Sequence, residues 1–551
     1  MIKRLLLSAV LGLLAIQAPA QQPNPAATAA TAAPVTLDAI LAQLPDADFD
    51  AKHDLVTALA ADGSPTARRV LAAMLDGRLF YRLADKQIVS VADADADPLA
   101  ITDIRSNKPL GQAAAGDFDR VTTNNGLRKE LRGALAGLEL NDPDRAVRLA
   151  AVKEMLRSID ADSAELLRPR LDKEKDAGVL REIRQAVAMV DLTSDSADSR
   201  LAAVTTLKGS LNPDVFNLLQ AIATPNADGS YTEKDPRVLA AAQQAVRRIE
   251  TRRHFYSTIE TLFFGLSLGS VLVLAGFGLA ITFGVMGVIN MAHGELMMLG
   301  AYCVYVVQQL MPHAMGASIL VAIPVAFVVS GLVGILIERG IVRFLYGRPL
   351  ETLLATFGVS LILQQVVRDV FSPNNRPVET PAWMAGSLQV NDLLQITLVR
   401  IYIVLFAVLV FIALQLVLKR TSLGLHVRAV SQNRAMARAM GIRTDWVDAL
   451  TFGLGAGIAG VAGVALSQLT NVGPNLGQNY IVDSFMVVVF GGVGNLWGTM
   501  ISGLSLGVAN KLLEPLAGAV LAKIFVLVAL ILFIQRRPRG LFPQKGRSAE
   551  T

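Results

Sequence analysis

The polarity of the chain changes sharply near residue 257. Residues 258–551 form a succession of apolar runs and hold only 19 basic and 12 acidic residues, whereas residues 21–257 hold 30 basic and 34 acidic residues. Runs of about 20 apolar residues are long enough to cross the hydrocarbon core of a bilayer. The sequence therefore predicts an all-α fold class: a mainly helical, exported domain followed by a polytopic membrane helix bundle with about eight or nine spans.

The apolar runs also predict where each span lies. The predicted spans are 258–283, 289–310, 318–337, 350–371, 397–418, 446–468, 481–497, 498–513 and 518–535. The seventh and eighth are short and rich in glycine, so one broken helix or a re-entrant pair are alternatives there. Gly265 and Gly269, like Gly503 and Gly507, are four residues apart, which is typical of helices that pack closely in lipid.

Residues 1–20 have the three parts of a secretory signal peptide. Lys3 and Arg4 precede an apolar core at residues 5–16, and Ala18 and Ala20 supply the small side chains of a cleavage site. We therefore expect residues 1–20 to be removed and residues 21–257 to be exported. An uncleaved N-terminal anchor is the alternative.

The soluble half, residues 21–257, reads mostly as amphipathic helices. Several begin with an aspartate as a potential cap, as in the DPDRAV motif from Asp142 and the DPRVLA motif from Asp235. The recurrence favours HEAT-type helical repeats, with a plain helical bundle as the alternative. Residues 79–91 alternate more like strands. The only cysteine is Cys303, and the chain shows no catalytic or metal-binding constellation, so we expect neither an enzyme nor a cofactor.

Basic residues cluster in three of the segments between or after the spans. They are Arg339, Arg343 and Arg348; Lys419, Arg420, Arg428, Arg434, Arg438 and Arg443; and Arg536, Arg537, Arg539, Lys545 and Arg547. The positive-inside rule places these clusters in the cytoplasm, which explains the basic pI without nucleic acid as a partner. Five predicted crossings precede the loop 419–445, so the domain 21–257 should lie outside, in the periplasm.

Two sets of polar residues fall within the predicted spans. Asn290, His293 and Glu295 lie in a segment interrupted by glycines, and spacing predicts that Asn290 and His293 share a helix face while Glu295 points elsewhere. Thr352, Thr356, Ser360 and Gln364 form a stripe at four-residue spacing on the fourth span. Polar groups at membrane depth usually face a cavity, so both sets are candidates for a translocation path. The alternative is that they satisfy backbone groups of their own helices.

The long basic loop 419–445 is a candidate for contact with a cytoplasmic partner. Residues 431–442 predict a short helix that ends at Gly441, with Arg434 and Arg438 one turn apart. An ordinary loop whose charge only sets membrane orientation is the alternative.

Three sequence blocks resemble a known family. They are Gly278–Tyr302, which contains FGVMGVINMAHGE at residues 283–295; Arg428–Phe452, with Ala437, Gly441 and Asp445; and Val488–Gly507 with the closing RPRGLF at residues 537–542. Together they resemble the permeases of ABC importers for branched-chain amino acids, amides and urea, over most of residues 258–545. The long domain before the first predicted span and the residues around Met291 and Glu295 are similar to those of the urea-type permeases. One departure is Ala435, where the broader importer pattern has a glutamate.

The resemblance implies an ATP-driven permease subunit of the bacterial inner membrane, most similar to urea importers. It implies four partners besides membrane lipid: a second homologous permease, two ATP-binding subunits and a periplasmic substrate-binding protein. The chain contains no GxxxxGK[ST] loop, so ATP hydrolysis is expected on the partners. The residues that the resemblance assigns to ATPase coupling are Arg434, Ala437, Arg438, Met440, Gly441 and Asp445. The alternatives are a permease for branched-chain amino acids or short amides, and a passive urea channel.

Overall fold

The computed structural model describes residues 36–157, 159–391 and 393–542. The predicted signal peptide 1–20 and the last residues of the predicted permease domain, 543–545, lie outside this part of the chain. Two compact units divide at Ala203 and Val204. The predicted boundary at 257 falls inside an unbroken helix, Pro236–Met286, because its charged first turns continue directly into its apolar part.

The first unit is mainly helical, in agreement with the sequence. Its helices are α1 (Leu37–Gln43), α2 (Phe49–Asp62), α3 (Pro65–Leu75), α4 (Asn125–Glu139), α5 (Arg145–Leu156), α6 (Ala161–Leu167) and α7 (Ala177–Asp191). Aspartates cap these helices, as at Asp176 on α7, but the cap of α5 is Asp144, which accepts from the N–H of Ala146, and not Asp142, at which the DPDRAV motif begins. Asp235 caps the helix Pro236–Met286, as the DPRVLA motif predicted. The HEAT-type arrangement stays a prediction.

A five-stranded antiparallel sheet interrupts these helices, so the all-α prediction is wrong for residues 79–120. Its strands are β1 (Leu79–Arg82), β2 (Ile88–Val91), β3 (Leu99–Asp103), β4 (Pro109–Ala113) and β5 (Phe118–Arg120), in the order β4-β3-β2-β1-β5. The alternation at residues 79–91 correctly predicted β1 and β2. Lys86 and Asn107 have positive φ angles and lie in the tight turns that join β1 to β2 and β3 to β4.

Helix α8 crosses the division between the units, and the second unit contains the remaining elements. They are α8 (Ala197–Leu207), α9 (Pro213–Ala223), α10 (Pro236–Met286), α11 (His293–Leu310), α12 (Met315–Gly340), α13 (Pro349–Phe371), β6 (Ser387–Gln389), β7 (Gln395–Thr397), α14 (Leu398–Arg420), α15 (Ser422–Gln432), α16 (Arg434–Ala439), α17 (Thr444–Ser467), α18 (Leu476–Gly491) and α19 (Leu496–Arg536). Strands β6 and β7 form a small antiparallel hairpin.

Six helices of the described chain are long and apolar enough to span a membrane, namely α10, α12, α13, α14, α17 and α19. Helix α18 is shorter, and α19 contains a non-helical residue, Gly518, so it consists of two helical segments. The predicted spans 481–497 and 498–513 have the wrong bounds. Their division lies at residues 492–495, where Gly492 and Gly494 adopt positive φ angles that end α18 and turn the chain into α19. The total of eight or nine spans stays a prediction.

The predicted close approach of helix backbones is present between α10 and α19. A Cβ atom built on Gly269 would lie 2.7 Å from the Cα atom of Leu504, and one built on Gly265 would lie 2.7 Å from the Cα atom of Val508. Neither backbone can move aside without shifting a whole helix. Glycine is therefore required at this contact, because lipid provides no hydrophobic force to push helices together and close packing must hold them.

We expect Gly269→Ala to destabilise the protein, because its new methyl group overpacks a backbone contact, by about 1–3 kcal/mol. The measurement is thermal unfolding of the purified chain in detergent. Gly358→Ala is the matched control, since Gly358 is also within a helix but a Cβ atom there meets no heavy atom within 4 Å. Equal unfolding temperatures for the two variants would contradict this account of the packing.

Candidate functional site

The candidate path residues 290–295 lie at a break between two helices. Helix α10 ends at Met286, Gly287 takes a left-handed conformation, and α11 begins only at His293. Asn290 therefore precedes α11, where its Oδ1 accepts a hydrogen bond from the N–H of Ala292 at 3.0 Å. The prediction that Asn290 and His293 share a helix face is wrong, because Gly287 ends the helix that the spacing assumed.

Glu295 joins the two predicted polar sets into one cluster. Its Oε1 accepts hydrogen bonds from Ser360 Oγ at 3.0 Å and from Gln364 Nε2 at 2.7 Å, both on α13. Glu295 lies in the first turn of α11, and its side chain is buried against the C-terminal half of the predicted stripe. Sequence spacing identified both sets but gave no means of pairing them across 65 residues of chain.

The two threonines of the stripe have a different role. Thr356 Oγ1 accepts from the N–H of Met291 at 3.1 Å and donates to the carbonyl of Thr352 at 2.9 Å, so it supports the helix break. Thr352 Oγ1 donates to the carbonyl oxygens of Arg348 and Leu345. Thr352 therefore bonds only backbone oxygens in this structure, as the alternative interpretation proposed.

His293 fastens α11 to α10. Its Nε2 lies 2.9 Å from the carbonyl oxygen of Ala275, and a carbonyl can only accept, so Nε2 carries the proton. The ring is completely buried. We therefore interpret His293 as a brace between helices that fixes the position of the break.

Three buried atoms of this segment have no hydrogen-bond partner within the described part of the chain. They are Asn290 Nδ2, a donor; His293 Nδ1, an acceptor once Nε2 is protonated; and Glu295 Oε2, an acceptor. Each unsatisfied buried group costs about 1–3 kcal/mol, so three within six residues are unusual. The segment thus offers both donor and acceptor capacity to water or to a small polar solute.

The basic loop forms two helices instead of the single helix predicted at residues 431–442. Helix α15 ends at Gln432, and Asn433 caps the next helix, α16, by accepting from the N–H of Met436 at 2.9 Å. Asn433 therefore ends α15 and begins α16 as a separate helix. Gly441 has a φ angle of 86° and turns the chain into α17, so its predicted role as a terminating residue is confirmed.

Helix α16 is attached to α17 by its two arginines. Arg434 forms an ion pair with Asp448, which is completely buried, and Arg438 donates to Thr444 Oγ1 at 2.9 Å and to Asp445 Oδ1 at 3.0 Å. Sequence reasoning missed Asp448. The sequence could have identified Asp448, because an acidic residue near the start of an apolar span needs a partner for its charge.

The same arginine contacts an aromatic residue that the sequence analysis also missed. The Arg434 guanidinium lies 4.5 Å from the ring centre of Tyr346, whose hydroxyl donates to Glu338 Oε1 at 3.2 Å. Burial raises the pKa of Tyr346 above its usual range, so this hydroxyl remains protonated and a donor at neutral pH. Arg434 therefore links α16 both to α17 and to the segment that follows α12.

The other coupling candidates in and just after α16, Ala437 and Met440, differ in their exposure. Ala437 is buried, whereas Met440 is 77% exposed and Met436 is 59% exposed. A short helix held by arginines on one side thus presents two flexible apolar side chains on the other. Methionine side chains adapt readily to a partner surface, so this face has the properties of a docking surface.

Comparison with known proteins identified the same family over the membrane half. Residues 261–534 match the model of the permease component of branched-chain amino acid transport systems. The high-affinity branched-chain amino acid permease LivH of Salmonella typhimurium is 33% identical over 298 residues, which cover 52% of this chain and 96% of LivH. BraD of Pseudomonas aeruginosa is 30% identical over 52% of this chain and 96% of its own length. No solved structure matched the chain.

We expect Arg434→Ala to lower the stability of the protein by about 2–3 kcal/mol, because it leaves Asp448 buried without its cation. Arg438→Ala is the control on the same helix, and its exposed ion pair predicts a loss of about 1 kcal/mol or less. Thermal unfolding of the purified variants measures both. Adding Asp448→Asn to Arg434→Ala should restore part of the loss, and failure to restore any of it would contradict the pairing.

Proposed function

Because this chain belongs to the family of branched-chain amino acid transport permeases, we propose that it is the membrane-spanning permease subunit of an ABC importer that moves urea into the cytoplasm. The membrane half carries the family match, and the apolar helices agree with a multi-pass membrane protein. The choice of urea is the finer part of the proposal, and the hydrogen-bonding groups around Glu295 are the observation that carries it.

Urea has one carbonyl acceptor, four N–H donors and no net charge. In the segment at the α10–α11 break, Glu295 Oε2 is a free acceptor for N–H groups, and Asn290 Nδ2 is a free donor for a carbonyl oxygen. Residues 254–338 contain no Lys or Arg, and Arg368, one turn beyond Gln364 on α13, already donates to Asn475 Oδ1 at 2.9 Å. This set of groups suits a small neutral amide better than a zwitterionic amino acid, which needs a fixed cation as well.

The N-terminal half of the chain also supports a type distinct from the plain amino acid permeases. The alignments include 96% of LivH and 96% of BraD but only 52% of this chain. The other half of this chain has no counterpart in these two relatives. We propose that this half, residues 21–257, is periplasmic. A fusion of alkaline phosphatase within it should be active only if this orientation is correct.

The proposed mechanism is alternating access driven by partner subunits. A periplasmic binding protein delivers the solute, and two ATP-binding subunits contact the exposed face of α16 around Met436 and Met440. Movement of α16 then reaches α17 through Arg434 and Asp448. A second homologous permease completes the path in the inner membrane. The Glu295 cluster is buried in this structure, and the proposed mechanism requires it to open to one side of the membrane at a time.

Two other functions are kept as alternatives. The printed names of LivH and BraD describe branched-chain amino acid transport, which favours an importer for those solutes or for short amides. A passive urea channel would need no docking face on α16.

The deciding experiment is uptake of labelled urea at micromolar concentration in cells with and without this gene. We expect uptake to disappear on gene deletion and on ATP depletion, and to be indifferent to excess leucine. Uptake that survives ATP depletion would indicate a channel. Unchanged urea uptake with loss of leucine uptake would overturn the proposed substrate.

We expect Glu295→Gln to reduce urea uptake by up to about tenfold, because an amide N–H group replaces an acceptor oxygen and one hydrogen bond of about 0.5–1.5 kcal/mol is lost. Glutamine has nearly the same size as glutamate, so we expect the amount of the variant in the membrane to be normal while its urea uptake is reduced. Glu351→Gln is the control, since Glu351 is on the adjacent helix and pairs only with Arg348 at the surface. Normal urea uptake by Glu295→Gln would show that the Glu295 cluster is not part of the translocation path.

A further inference from the structure

A second polar site lies in the membrane half, away from residues 290–295. It is a cavity of about 510 Å³ bordered by α10, the segment before α18, α18 itself and both segments of α19. Its volume is many times the share of one water molecule, about 30 Å³, so it is large enough for a small solute together with water. None of Asn290, His293 or Glu295 is among its lining residues.

Four charged residues line this cavity, and they form two ion pairs. Lys511 Nζ lies 2.6 Å from Glu514 Oε2 within α19, and Lys523 Nζ lies 3.0 Å from Asp483 Oδ2 on α18. Charged groups on apolar helices are costly unless they face water or a partner, and here each has a partner at the cavity wall. Because each charge is matched by an opposite one, the lining offers no net charge to a ligand.

The groups left free for a ligand are carboxamides. Asn510 is 94% buried, at 6% exposure, and its Oδ1 has no hydrogen-bond partner in the part of the chain that the structure covers. Asn375, Asn471 and Asn479 also line the cavity. A buried, unpartnered carbonyl oxygen requires an N–H donor. The lining therefore complements a neutral molecule that carries N–H groups and a carbonyl.

A polar connection runs from this cavity towards the Glu295 cluster. Asn475 lines the cavity, and its Oδ1 accepts from Arg368 Nη2 at 2.9 Å. Arg368 is one turn beyond Gln364 on α13, and Gln364 donates to Glu295. The cavity and the cluster are thus linked by consecutive polar side chains along one helix face.

We propose that this cavity is a binding site for a small uncharged amide, which it holds before passage to the Glu295 cluster. Asn510 supplies the acceptor for an amide N–H group, and the neighbouring asparagines supply donors for the carbonyl. This inference rests on the proposed function, of which it names a second binding position. Urea is the probe, since it is the smallest molecule with this set of groups.

The test is protection of an engineered cysteine in membranes that contain the assembled transporter. In a Cys303→Ala background, Ala519→Cys places a thiol in the cavity lining, and a small membrane-impermeant methanethiosulfonate reagent modifies it. We expect millimolar urea to slow this modification several-fold and leucine to have no effect. Asn374→Cys is the control, because Asn374 is exposed beside the cavity but does not line it.

A second measurement tests the role of Asn510 directly. Asn510→Leu removes the acceptor and should raise the KM for urea uptake about tenfold, the usual effect of one buried hydrogen bond, whereas Asn510→Ser keeps an acceptor oxygen and should rescue much of the affinity. Normal urea uptake with no protection at Ala519→Cys and no change in Asn510→Leu would overturn this site and leave the proposed function standing. Protection by leucine instead of urea would assign the cavity to an amino acid. Absence of urea uptake in the unmodified protein would refute the proposed function itself.

Discussion

Contact between helix backbones at glycine residues is the constraint on which the membrane half depends. Lipid tails are as apolar as the helix surfaces, so association requires close packing instead of the exclusion of water. Gly265 and Gly269 allow α10 to lie against α19, and Gly457 allows α17 to lie against α12, since a Cβ atom built on Gly457 would lie 2.8 Å from ring atoms of Phe327. With the apolar helices fixed in this way, the few polar side chains within them are forced into defined partnerships.

Those partnerships differ in what they join. The ion pair of Arg434 and Asp448 attaches a short surface helix to a long membrane helix. Glu295 is bonded by the neutral side chains of Ser360 and Gln364, and Asn510 retains a buried Oδ1 without a partner in the described chain. Asp448 Oδ1 is also without a partner there, so the ion pair between two helices, and not the presence of an unpartnered atom, separates the proposed coupling residues from the proposed binding positions.

The sequence predicted local features well and distant pairings poorly. Apolar runs located most membrane helices, the glycine spacing identified residues at which helices pack closely, and Asp235 caps a helix as its motif predicted. The pairing of Glu295 with Ser360 was not predictable, because the break at Gly287 changes which face of α11 meets α13. The cavity was missed for the same reason, since Lys523 and Asp483 are 40 residues apart. Strands β4 and β5 were missed because most of their residues are exposed, so they lack the run of buried apolar residues that identified β1 and β2.

Helix α10 has a mechanical consequence. Its 51 residues extend about 76 Å, at 1.5 Å per residue, from the charged turns after Asp235 to the break at Gly287. A helix of hydrogen-bonded turns resists bending far better than a loop does. A tilt or twist of its charged N-terminal turns would therefore be transmitted along the helix to residues 287–292, the segment between α10 and α11 that contains Asn290.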